Sequence, residues 1–164
     1  MKNKKFKAPR LPYLLLVLAL FALAALVACS TGGGDTDTAT ESDPNAIQNI
    51  EWQWLSVTEQ STGNETTTPD PKVYTLNLFA DGTLAGTADC NSFSGTYSQE
   101  NGFSITLGAT TMAFCGEASL DQTYLQLLGS VAAGGPDGSG GLALETAGGA
   151  QRMVFKNGGP SPSQ

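Results

Sequence analysis

The sequence predicts a mainly β domain: a small antiparallel β-barrel or strongly curled sheet with one α-helix packed on it. Three observations carry this expectation. Apolar residues recur with period two over most of residues 48–157. Three hairpin signals punctuate those runs. One short segment switches to helical spacing.

The first run, "IEWQWLSV" from Ile50 to Val57, sets Ile50, Trp52 and Trp54 on one face and Glu51 and Gln53 on the other. Trp52 and Trp54 read as core residues rather than as an aromatic ligand platform, because such alternation is what a half-buried strand needs. "KVYTLNLF" then places Tyr74, Leu76 and Leu78 on one side. Asp81-Gly82 and Asn101-Gly102 each lie between alternating runs, where they supply the left-handed backbone of a tight hairpin. Gly148-Gly149, between "LALE" and "RMVF", marks a third. Phe93 and Tyr97 share a strand face and should pack inward. The stretch "AAGGPDGSGG", residues 132–141, reads as a loop by composition. "SLDQTYLQLLG" puts Leu120, Tyr124, Leu127 and Leu128 on one helical stripe, with Ser119 and Gln122 as a capping box, Asp121 near the positive end of the dipole and Gly129 as a stop. So short a helix needs tertiary packing to persist.

The N-terminus speaks to compartment. Residues 1–10 hold Lys2, Lys4, Lys5, Lys7 and Arg10 and no acid, and an apolar run follows from Leu14 to Ala28. That is the build of an export signal. It is shorter than the roughly 20 apolar residues of a spanning helix. Its ending, "LVACS", resembles the lipobox of bacterial lipoproteins. The resemblance implies a signal peptide over 1–28, cleavage before Cys29, acyl chains on the Cys29 residue, and an extracytoplasmic domain held to a membrane through that lipid. Residues 29–47 are Gly, Thr, Ser and acid and read as a flexible tether. Residues 158–164 read as a frayed tail, leaving one domain over 48–157.

Removing the signal leaves Lys72, Arg152 and Lys156 against all 15 acids, a net charge of −12. Such a chain repels phosphate backbones and anionic head groups, which excludes nucleic acid as a partner. The sequence contains no histidine. That removes Ser-His and Cys-His nucleophilic pairs and the commonest metal ligand.

Within the domain, "DCNSFSGTY" (89–97) is followed by "TTMAFC" (110–115) and a short helix, and preceded by a Trp-x-Trp strand and "FADGTLAG". In that order and spacing these segments resemble the META domain (HslJ-like) family. The resemblance covers nearly the whole folded part and implies a small antiparallel β-barrel with one helix. It also implies an exported, often lipid-anchored protein linked to stress tolerance or secretion, with no catalytic residue to carry over. Trp52, Asn91, Gly95, Tyr97 and Thr111 fall on its motif, and all have structural readings. Asn91 bonds backbone neighbours or takes a left-handed turn, and Gly95 suits a bulge or close strand approach. One departure is the bulky Phe114 before Cys115, where a smaller residue is common.

Cys90 and Cys115 remain. Neither has a histidine base, and Asp89 disfavours a thiolate at Cys90. Two cysteines with scattered carboxylates make a poor zinc set, and "DCNSFSG" lacks the glycine a calcium loop needs. With Cys29 taken by lipid, the two thiols form an even pair in an exported chain, and the expectation is a Cys90–Cys115 disulfide, with two buried reduced cysteines as the alternative. The expected function is that of a non-enzymatic, lipid-anchored envelope protein without cofactor or metal, acting in stress tolerance through contacts with an envelope protein. The alternative is a small-barrel module whose mouth binds a small apolar ligand.

Overall fold

In the computed structural model, residues 44–162 are described. The proposed signal, Cys29 and the tether up to residue 43 lie outside them.

Nine strands form one antiparallel sheet: β1 (Ile50–Glu59), β2 (Glu65–Thr67), β3 (Tyr74–Leu78), β4 (Thr83–Ala88), β5 (Asn91–Ser98), β6 (Ser104–Thr110), β7 (Val131–Pro136), β8 (Leu142–Thr146) and β9 (Gln151–Pro160). Their order is β6-β5-β4-β3-β1-β9-β8-β7, with β2 attached to β1. The sheet curls into a half-barrel. Its two edges meet where the Phe103 N–H donates to the Ala132 carbonyl at 3.3 Å. The one α-helix among the described residues, α1 (Asp121–Leu128), buries Tyr124, Leu127 and Leu128 against the concave face. This is the fold class that the period-two runs predict.

The hairpin signals fall where expected. Gly82 (φ +82°) turns β3 into β4, Asn101 and Gly102 (φ +58° and +119°) turn β5 into β6, and Gly148 and Gly149 turn β8 into β9. A fourth hairpin carries no glycine. Asp89 takes φ +58°, and Ala88 pairs directly with Asn91. Cys90 therefore sits at the tip of a two-residue turn.

The interior is filled. Trp52, Trp54, Tyr74, Leu76, Leu78, Phe93, Tyr124, Met153 and Phe155 are all buried in one cluster. Trp54 stacks on Tyr124 with centroids 4.9 Å apart, and Tyr74 meets both rings edge-on at 5.7 Å. Phe93 and Tyr97 both point inward.

Four local readings need correction. Residues 132–141 are not all loop, because β7 runs through Pro136 and pairs with β8. A Cβ on Gly134 would run into the Leu144 side chain, so a glycine at this position lets the edge strand lie close on its neighbour. The tail also begins later than composition suggests. β9 continues to Pro160, and Ser161 donates its N–H to Asn49 O (3.0 Å) and its hydroxyl to Asn77 Oδ1 (2.8 Å). At the other boundary Ile47 is core, 1 % exposed, and its carbonyl accepts the Trp52 indole N–H at 2.8 Å. Finally, Ser119 and Gln122 form no capping box. The N-cap is Leu120, one residue later than predicted, and its N–H donates to the Tyr74 hydroxyl at 2.8 Å. Ser119 Oγ accepts the Asp121 N–H at 3.2 Å. Gly129 does stop the helix: it is the C-cap after Leu128, in a right-handed conformation at φ −67°.

Candidate functional site

Part of the sequence motif, Asn91 and Thr111 with the two cysteines, converges at one end of the half-barrel. Antiparallel register places the β4–β5 turn at the opposite end from Asn49, whose N–H bonds Leu78 O at the close of β3. The segment after β6, residues 111–116, returns to this same turn. Cys90 and Cys115 are joined by a disulfide with Cα atoms 5.6 Å apart, inside the usual range for such a bond. Of the two readings left open by the sequence, the half-cystine pair is the one present.

Asn91 is the hub beneath that bond. It is 2 % exposed, and both ends of its amide are in use. Oδ1 accepts the Ala113 N–H at 2.7 Å and the Thr111 hydroxyl at 3.1 Å. Nδ2 donates to Ala113 O at 3.0 Å and to Asp121 Oδ2 at 2.9 Å, and lies 3.2 Å from Cys115 Sγ. Thr111 closes a second link, because its Oγ1 accepts the Ser92 N–H (2.9 Å) and its own N–H donates to Ser92 O (2.9 Å). One buried side chain thus fixes the 111–115 segment, the start of α1 and the β5 terminus together. Buried polar groups satisfied to this degree rigidify what they join.

The remaining motif residues lie away from this cluster. A Cβ on Gly95 would strike the Thr106 carbonyl, so glycine is required where β5 and β6 approach beside the register shift between Phe93 and Gly95. Tyr97 lies further along β5 and donates its hydroxyl to Phe79 O at 2.8 Å. Burial, with a smaller contribution from the Asp81 charge, pushes its phenol above the ordinary value, so it remains a donor at neutral pH. Trp52 is core and is not part of this cluster. Cys29 lies outside the described residues.

Chemically, the cluster offers an amide, hydroxyls and a disulfide, all committed to holding backbone. A shallow surface groove lined by Ser92, Phe93, Ser94 and Ala109–Thr111 runs alongside. Among the described residues, no group of three His, Cys, Asp or Glu side chains is placed to hold a metal.

Sequence reasoning missed two residues here. Tyr74 reads as core, yet its hydroxyl serves α1. Phe114 reads as a departure in packing, yet it makes none: Phe114 is 84 % exposed and Met112 78 %. The signal for Phe114 was its bulk beside a cysteine.

Comparison with known proteins agrees with this fold. No curated protein sequence matches. An NMR structure of a protein from Burkholderia xenovorans is similar to this chain with a TM-score of 0.53 at 19% identity, covering 77% of this chain and 98% of that one. A crystal structure of a DUF4847 family protein from Bacteroides vulgatus is similar with a TM-score of 0.50 at 14% identity, covering 67% of this chain and 93% of that one. At such identities the likeness is one of fold. The META domain family model matches residues 45–158, which span both cysteines, the Asn91 hub and the helix. The chain belongs to the META domain family.

Proposed function

We propose that this chain is a non-enzymatic, lipid-anchored envelope protein that supports cell-envelope stress tolerance through protein contacts. The observation that carries the reading is the division of labour at the Asn91 end. Its polar groups hold backbone, and its apolar groups Met112 and Phe114 face outward. An enzyme needs an activated group aimed at a substrate. Here each polar side chain of the cluster is already spent on the fold. The second reading, a barrel mouth for a small apolar ligand, requires interior space that Trp52, Trp54, Tyr74 and Tyr124 occupy. The anchor rests on "LVACS" and the basic, apolar stretch before it.

The test is labelling of the full chain with radioactive palmitate in its native cells, beside Cys29→Ala. The parent should take up label and fractionate with the envelope. Cys29→Ala should do neither, and cells carrying it should survive envelope stress no better than cells without the protein. Label on the Ala variant, or full protection from a soluble form, would overturn the reading.

A further inference from the structure

We propose that residues 111–115 form a docking finger for an envelope protein whose surface offers an apolar pocket rimmed by basic side chains. This deepens the protein-contact reading and rests on it. The first argument is an alternation along the loop. Thr111 and Ala113 are bound to Asn91 and Ser92, and Cys115 is bound to Cys90. Between them Met112 and Phe114 stand out at 78 % and 84 % exposure, the two large hydrophobics left exposed among the described residues. The backbone is clamped at every second residue, so these side chains are presented with little ordering left to lose on binding. An aromatic and a thioether are side chains favoured at the centres of interfaces.

The second argument is charge. Asp89, Glu117 and Asp121 flank the loop in the turn, after Cys115 and at the start of α1. Among the described residues the one ion pair is Arg152–Glu145, so none of the three has a basic partner in contact. Lys72 is the nearby cation, beside Val73, whose carbonyl takes the Asp89 N–H. An acidic rim around an apolar tip complements a basic rim around a pocket. It opposes a second copy, which would bring the same rim, and an anionic bilayer.

The test uses the full chain in its native cells with Phe114→p-benzoylphenylalanine, irradiated and analysed by mass spectrometry. A discrete protein adduct is expected, with the cross-linked peptide apolar and flanked by Lys or Arg. The same photolabel at Asn101, on the other end, should give no such adduct. Asp89→Asn with Glu117→Gln, and separately Met112→Ser, should each cut adduct yield about threefold or more. An adduct to lipid, an adduct to a second copy, no adduct, or an adduct indifferent to the rim charges would overturn the proposal. Palmitate labelling of the same cells separates the two claims: label without an adduct removes the finger and leaves the anchor, and an adduct without label does the reverse.

Discussion

The two ends of this half-barrel are closed by different chemistry. At the end where the chain enters, backbone groups do most of the work: Asn49 N–H to Leu78 O, Ser161 N–H to Asn49 O and Tyr97 N–H to Gly82 O. At the other end, side chains do it: Asn91, Thr111, the Tyr74 hydroxyl and a disulfide. A backbone closure tolerates many side chains. A side-chain closure fails when one residue changes. The comparison teaches that the second end concentrates its stability in a few replaceable atoms, and that a rigid loop results there.

The largest break in that comparison should come from the disulfide. Cys90 and Cys115 are 25 residues apart, and chain entropy for a loop of that length gives about 3.5 kcal/mol. Cys90→Ser with Cys115→Ser should lower the unfolding free energy from denaturant titration by that order, with m raised because the uncross-linked unfolded chain exposes more surface. A loss below about 1 kcal/mol would mean that Asn91 holds the loop alone. The next break is Asn91→Ala. It strips partners from Thr111, Ala113 and Asp121 at once, and should cost about 2–3 kcal/mol. It should also speed hydrogen exchange at the Ala113 N–H while leaving the Asn49 N–H protected.

One substitution made at two neighbouring tyrosines sharpens the point. Tyr74 and Tyr124 meet edge-on at 5.7 Å. The Tyr74 hydroxyl caps α1 through Leu120 N–H. The Tyr124 hydroxyl is fully buried with no hydrogen-bond partner, and burial pushes its pKa well above the ordinary value. Tyr74→Phe should destabilise by about 1 kcal/mol, the worth of a lost helix cap. Tyr124→Phe should stabilise by about 1 kcal/mol, because it removes a buried hydroxyl that has no bond to lose. Thermal unfolding of both variants checks the signs. Equal signs would show that the two hydroxyls are not in different situations.

The same contrast explains what the sequence discloses. The entry end is legible because its turns are local: Asp81-Gly82 and Asn101-Gly102 name their own backbone. The Phe93/Tyr97 face and the Leu120/Tyr124/Leu127/Leu128 stripe are legible for the same reason of period. The other end is built from contacts between residues such as Asn91 and Ala113, or Tyr74 and Leu120, whose separations along the chain carry no periodic signal. The motif marks Asn91 and Thr111 as belonging together without saying what they hold. Composition misleads at β7, where Gly134, which looks like loop, lies close against Leu144. It misleads again at Gly158, whose missing Cβ leaves room for the Gln53 side chain.

The smallest expected effect lies in a turn of the entry end and shows how local that end is. Asp81, at the β3–β4 turn, accepts the Thr83 hydroxyl at 2.6 Å and the Thr83 N–H at 2.9 Å. These bonds, the hydroxyl first, hold the Asp81 carboxyl below its ordinary value of 3.8. A carboxylate depressed in the folded state stabilises above its unfolded pKa, and that stabilisation is lost as pH falls through the folded one. The turn should therefore weaken only in acid below about pH 4. Thr83→Val removes the hydroxyl donor and keeps the backbone one. It should move the Asp81 carboxyl part of the way back toward 3.8 in an NMR titration, with the Ala113 N–H at the other end unaffected. Asp81 is fully solvated, so the change in global stability should be slight. A perturbation that did reach Ala113 would show that the two ends are coupled through the strands and not closed independently.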